Sequence, residues 1–392
     1  MKNYKQFWIT IPFILVLFGI GILNILSKDK TESLTENRAL QQAPGIENII
    51  NRDYPSVYET YYTDQFIKRD ELLKLYTKLE ISMDKSTVRG YHIVDNKWIM
   101  PGNVKKQEDK DIKKEANKLN DFSKQISKKG RDIYYVSTPC KSQALKHLYP
   151  KYAEDGFALQ NVSKFGSYLN KNYIDFINLD KYFNDEFTDK EKEQMYFKTD
   201  HHWNGLGAYE GFKYIINNMH ILDKKDEKLI SDQNFVKYKE LDKNFIGSYN
   251  RNLFYLFSKD EDIPYVYSKQ SGKYEYFNFN GNEYVPIDQN QIISTEKSFD
   301  ELTYGGAYTN DIPLYKIKNK NAPIDKKIMI VRDSYQAPTT LLFADLFKSV
   351  EILDPRNTID ANVSKAIEQS DPDIAMFMFN SETYGGMVDI VK

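Results

Sequence analysis

The chain predicts an α/β fold, a parallel sheet flanked by helices, with a β-rich insertion and an N-terminal transmembrane helix. Three observations carry this expectation. Short apolar runs bounded by turn residues alternate with amphipathic stretches of helical period before residue 220 and again over the last seventy residues. Between them, residues 232–323 change character, with Tyr, Phe and Val alternating with polar residues around Gly247, Gly272 and Gly281. At the start, residues 7–26 run without a single charge.

Composition bounds the possibilities. Of 392 residues, 41% are hydrophobic and 14% aromatic, enough for a substantial core and against global disorder. Lys and Arg number 54 against 56 Asp and Glu, a formal charge of -2. Such a balance lacks the broad basic surface that nucleic-acid binding needs, so no nucleic acid is expected as a partner. Cys140 is the single cysteine, which excludes an intramolecular disulfide and reads as an inert buried thiol.

About twenty uncharged residues suffice to cross roughly 30 Å of hydrocarbon as a helix. Lys2 and Lys5 precede the run, which favours residues 1–6 on the cytoplasmic side and the remainder outside. Ser27-Lys28-Asp29-Lys30 follows, with neither a small-residue cleavage signal nor a cysteine for lipid. Residues 7–26 are therefore read as an uncleaved single-pass anchor in the cell membrane. Residues 27–57 are polar, contain Pro44-Gly45 and form a stalk, leaving 58–392 as the extracellular domain.

Within that domain, 58–79 has the spacing of one helix. Residues 105–129 are highly charged, yet Ile112, Ala116, Leu119, Phe122 and Ile126 recur every three or four positions, an amphipathic helix with a solvated outer face. Gly130 leads into Ile133-Tyr134-Tyr135-Val136, a buried strand, and 174–179 suggests a second. Tyr209, Phe212, Ile215, Ile216 and Met219 mark a helix beginning just past Trp203, with Gly205, Gly207 and Gly211 admitting another backbone. After the insertion come strands at 328–331, 350–353 and 374–379. A helix opened by Pro338 runs through Phe347, and another covers 361–370.

Chemistry concentrates at two places. Asp200-His201-His202-Trp203 puts a carboxylate two residues before an imidazole. In an extended stretch both leave on one side, so Asp200 can orient His202. The helix dipole just beyond opposes imidazolium formation, and Asp200 offsets it. Asp333-Ser334 follows a predicted strand, where ligands bind in open parallel sheets and backbone N–H groups can hold an oxyanion. Arg356 and Asn380 fall after the next two strands, on the same edge. Ser334, His202 and Asp200 thus read as nucleophile, base and orienting carboxylate. Each piece has a plainer reading: a helix N-cap for Ser334, surface loop residues for Arg356 and Asn380, or a metal site at Asp-His-His. The chain has only five histidines, and His92 and His147 lie far upstream, so no metal and no cofactor are expected.

Thr199-Asp200-His201-His202-Trp203-Asn204 with Asp333-Ser334-Tyr335 closely resembles the DHHW family, relatives of the alginate O-acetyltransferases AlgJ and AlgX. Glu36-Asn37-Arg38-Ala39-Leu40 with Pro44, Asp64 through Arg69, Thr138-Pro139-x-Lys141 and Tyr304-Gly305-Gly306 extend the resemblance over nearly the whole exported part. It implies an SGNH-hydrolase-like fold in which Asp-x-His precedes Ser, with Ser334, His202 and Asp200 as the triad. Tyr304, His201, Trp203, Tyr384, Asn380 and Arg356 are the expected oxyanion or substrate contacts. Ordinary SGNH enzymes carry Gly-Asp-Ser where this chain has Arg332-Asp333-Ser334. The implied activity is O-acetyl transfer to hydroxyls of an exopolysaccharide or cell-wall glycan. The acetyl groups would arrive from a multispanning membrane-bound O-acyltransferase as partner. A polysaccharide acetylesterase, or an anchored glycan-binding scaffold without catalysis, uses the same features.

Overall fold

The computed structural model describes residues 4–36, 38–94, 98–127, 130–219, 238–240, 244–257, 262, 264–267, 273–293, 301–309, 312–357 and 363–384. Asn37, Gly272 and parts of the insertion lie outside them. Packing divides the chain into two units, Met1–Arg89 with Arg251–Leu256, and Gly90–Asn250 with Phe257–Lys392.

The first unit holds helices α1 (Tyr4–Leu26), α2 (Tyr54–Asp64) and α3 (Arg69–Ser82). Phe7–Leu26 is long and apolar enough to cross a membrane, and none of it is buried against protein. The single helix expected at 58–79 is two, because Gln65 ends α2 and Lys68, at φ 54°, reverses the chain before α3. Both helices fall in this first unit, so the second begins at Gly90 rather than at residue 58. Two of the stretches quoted for the family resemblance meet here. Arg38 forks onto Asp64 at 2.8 and 2.6 Å, and Arg69 grips Glu36 at 2.8 and 2.9 Å. The Arg38 hydrogen bonds hold the buried Asp64 carboxyl below the usual carboxylate range.

In the second unit, eight strands form one sheet: β1 (Asp132–Thr138), β2 (Asp175–Asn178), β3 (Tyr274–Phe279), β4 (Tyr284–Ile287), β5 (Leu314–Asn319), β6 (Ile324–Arg332), β7 (Phe347–Leu353) and β8 (Ile374–Asn380). Their order is β4-β3-β5-β7-β6-β8-β1-β2. From β7 to β2 all neighbours are parallel, with Ile328 opposite Val350 and Ile374. The β6, β8 and β1 cores are continuous apolar runs buried on both faces, and β7 shows Val350 and Ile352-Leu353 around the buried Glu351, which explains why these strands stood out in the sequence. From β7 outward the pairing turns antiparallel through β5, β3 and β4. Three strands of the expected insertion therefore extend the central sheet, a pairing set by tertiary packing rather than local pattern.

Helices α4 (Asp109–Ser127), α5 (Ala158–Tyr168) and α8 (Val363–Ser370) contribute to the core on one face, and α6 (Gly205–Asn218) and α7 (Thr340–Leu346) to the core on the other. On α4 the five periodic apolar residues are all buried, Ile112 and Leu119 at 1% exposure. Leu119→Ala should lower stability by about 2–5 kcal/mol through lost burial and a residual cavity, whereas exposed Lys114→Ala should change it by less than about 0.5 kcal/mol. The urea midpoints of the two variants check this. Residues around Pro338 open not an α-helix but a 3-10 turn, Ser334–Thr339, before α7 begins.

Candidate active site

Asp200 and His202 sit in a loop closed on itself by an antiparallel bridge between Tyr196 and Trp203, with the Asn204 N–H donating to Met195 O at 2.8 Å. The sequence predicted an extended stretch here. Residues 200–202 instead bend, because Asp200 Oδ1 accepts the His202 backbone N–H at 3.0 Å, a local bond that a short carboxylate makes readily. The same oxygen accepts His202 Nδ1–H at 2.6 Å, so the bend still aims the carboxylate at the ring. Asn204 then caps α6 by accepting from the Leu206 and Gly207 N–H groups. Gly205 answers a close backbone approach, since a Cβ there would meet Tyr265 O at 1.9 Å.

At the far end, β6 stops at Arg332 and Asp333 Oδ1 accepts the Tyr335 N–H at 2.9 Å, fixing the turn that carries Ser334. Ser334 Oγ lies 2.7 Å from His202 Nε2. The chain separation of 132 residues is closed at the carboxyl edge of the sheet. Asp200 and His202 are buried at 1% and 4% exposure, while Ser334 is half-buried and open to a ligand. Burial alone would raise the Asp200 pKa. The charges of His202 and His201, the His202 ring N–H and the Ser248 amide outweigh it and hold the carboxyl well below the usual range. With Nδ1–H donated to Asp200, His202 is left with Nε2 as the acceptor for the Ser334 hydroxyl proton.

The neighbours fix this relay. Tyr304 stacks flat on the His202 ring, centroids 3.6 Å apart and planes at 7°. His201 lies 3.6 Å from the His202 ring on centroids and bonds Ser248 Oγ through Nδ1 at 2.8 Å; burial and the nearby His202 lower its pKa. Trp203, fully buried, donates Nε1–H to Tyr335 O at 2.7 Å and so ties the two halves of the site together. Asn380 does not point an idle amide at the nucleophile: its backbone N–H and Nδ2 both donate to Asp333 Oδ2, at 2.7 and 2.8 Å, and brace the turn. Arg356 is clamped on Asp354 through Nε and Nη2 at 2.9 and 2.6 Å. Tyr384, expected near the substrate, is instead a core residue. The chain turns back after β8, and Tyr384 packs on Phe165 and donates to Gln107 at 2.7 Å.

Ser248 was missed from sequence. Its N–H donates to Asp200 Oδ2 at 2.6 Å, a main-chain contact that no side-chain motif betrays. The available signal was the glycine before it, where a Cβ would lie 2.1 Å from Thr199 O. Donor atoms of Asp200, His201 and His202 fall within 4.8 Å of one another and could in principle hold a metal ion. Both Asp200 oxygens and both His202 ring nitrogens are, however, engaged in the hydrogen bonds above.

Residues 95–253 match the family model described as the SGNH hydrolase-like domain of the acetyltransferase AlgX. Over these residues the chain is similar to that SGNH hydrolase-like domain. The family match covers Asp200 and His202 and ends before Ser334, which the fold brings to them. The structure of Bacillus cereus PatB1 is similar, with 25% identity, a TM-score of 0.66, and coverage of 76% of this chain and 97% of that one. A DHHW family protein from Eubacterium siraeum shares the fold at 18% identity and a TM-score of 0.56, over 78% of this chain and 95% of its own. No match was found among curated protein sequences. Beyond the matched residues, the sheet edge supplies Ser334 and the stretch read as an insertion supplies Tyr304, while Ser248 lies within the match.

Proposed function

We propose that this protein is a membrane-anchored serine O-acetyltransferase that modifies an extracellular polysaccharide or cell-wall glycan through an acetyl-Ser334 intermediate. The observation that carries the proposal is the continuous relay from Ser334 Oγ through His202 to Asp200, at 2.7 and 2.6 Å. His202 Nε2 takes the serine proton as Oγ attacks the acetyl carbonyl, and the resulting imidazolium returns that proton to the leaving group. In the second half-reaction His202 deprotonates a sugar hydroxyl, whose oxygen attacks the carbonyl of acetyl-Ser334; as the acetyl–Oγ bond breaks, the imidazolium returns the proton to Ser334 Oγ. The Ser334 N–H, at the head of its turn, is assigned to the tetrahedral oxyanion. Asp200 keeps its charge throughout and steadies the imidazolium.

The acetyltransferase description of the matched family supports the acyl group, and the uncharged Phe7–Leu26 stretch supports anchoring with the catalytic unit outside the membrane. Acetyl donors then reach the site from a membrane-bound O-acyltransferase partner. The test is incubation of the full-length protein with an acetyl ester and an oligosaccharide acceptor, read by mass spectrometry. Acetylated sugar is the expected product. Release of acetate alone, with no sugar modified, would make the protein an esterase.

A further inference from the structure

We infer that Lys141 and Asp262 are positioning residues that grip the backbone of the Asp200 loop from opposite sides. Lys141 is fully buried, and its ammonium donates to three carbonyl oxygens, of Ile99, Lys198 and Asp200, at 2.8, 2.8 and 2.9 Å. Three protons meet three acceptors, so the group is saturated. Trp98 and Tyr249 place their rings 5.3 and 5.2 Å from the same nitrogen. Asp262, at 7% exposure, takes the complementary groups: it accepts the Thr199 N–H at 2.8 Å, and also the Lys198 N–H and the Thr199 hydroxyl.

A cation thus holds the carbonyls of residues 198 and 200 while an anion holds the amides of 198 and 199. The peptide planes leading into Asp200 cannot rotate without orphaning a buried charge, which is costly in a low-dielectric interior. Neither residue bonds Ser334 or the His202 ring, whose charged and titratable neighbours are Asp200, His201, Tyr304, Tyr335 and, at longer range, Glu382. Their effect on chemistry passes through where Asp200 stands. Asp262 comes from the segment that sequence alone marked as a β-rich insertion.

This inference rests on the proposed relay, so the experiment separates the two. Full-length protein in detergent is labelled with a fluorophosphonate across pH, for the native chain, Lys141→Met, Asp262→Asn and a Ser334→Ala control, with thermal melting alongside. Labelling of the native chain but not of the control upholds the relay; an unlabelled native chain removes both the relay and this inference. Both positioning variants should lose about 10–100-fold in the plateau labelling rate of their folded fraction. Their acid limb, set by His202 losing its proton, should move to lower pH in both, because a displaced Asp200 stabilises the imidazolium less. Charge acting through space would instead move the limbs apart, up for Lys141→Met and down for Asp262→Asn. That result, or lowered melting temperatures at unchanged plateau and limb, overturns the inference. If Lys141→Met does not fold, the plateau rate of the near-isosteric Asp262→Asn decides alone.

Discussion

Ser334→Ala is expected to abolish labelling by serine-directed fluorophosphonates and to cut acetyl transfer by on the order of 10⁶-fold, the loss seen when a triad nucleophile is removed. Ser334 Oγ is the atom 2.7 Å from His202 Nε2, and the neighbouring hydroxyl, on Tyr335, is already donated to His201 O. The turn's remaining hydroxyl, on buried Thr339, is donated to Gln336 O, so no second nucleophile on that turn can take over. The fold should hardly notice the change, because Ser334 is half-buried and its turn is fixed by Asp333 and Asn380 rather than by its own side chain. A melting temperature within about 2 °C of the native protein, with activity gone, is the outcome that separates catalysis from structure. Retention of more than about a hundredth of the transfer rate would remove Ser334 from the chemistry and leave the anchored scaffold as the reading.

Legibility in the sequence followed the range of the interactions. Strands β1, β6 and β8 announced themselves because burial on both faces demands an unbroken apolar run, and β7 followed from Val350, Ile352 and Leu353 despite Glu351 between them. The face of α4 was readable residue by residue, from Ile112 to Ile126, because helical periodicity is local. Asp200, His202 and Ser334 were legible as residue types in a motif, though not as an Asx-type bend, since a side chain capping its own backbone competes with extension in a way alternation does not reveal. The outer strands β3, β4 and β5 read as part of an insertion because an edge pairing depends on what lies beside it. Lys141 was visible only as part of a family stretch, and Ser248 and Asp262 not at all. All three act on or through main-chain atoms, and sequence patterns carry little information about those. Tyr384 misled for the opposite reason: it follows a strand end, yet the chain reverses there and buries it under α5.

Asp200→Asn tests the deepest link of the relay. Asp200 accepts at both oxygens, Oδ1 from the His202 N–H and Nδ1–H, Oδ2 from the Ser248 N–H. An amide has one accepting end. If its oxygen faces His202, its NH₂ opposes the Ser248 N–H; if it flips, the NH₂ faces Nδ1 and drives the ring proton to Nε2, where it can no longer accept from Ser334. Either arrangement sets donor against donor in a buried site, at about 1–3 kcal/mol, and the flipped one inverts the tautomer that catalysis requires. The expected loss is about 10⁴-fold in the acylation rate, with the protein still folded. Stability supplies a second readout. The native Asp200 pKa is depressed, so its ionised form adds stability that is present above the unfolded value of about 3.9 and is lost as pH falls through the folded value. The asparagine variant lacks this titration. Its melting temperature should be lower near neutrality and should fall less steeply on acidification than that of the native protein. An acylation rate within tenfold of native, with the melting profile unchanged, would place the orienting charge somewhere other than Asp200.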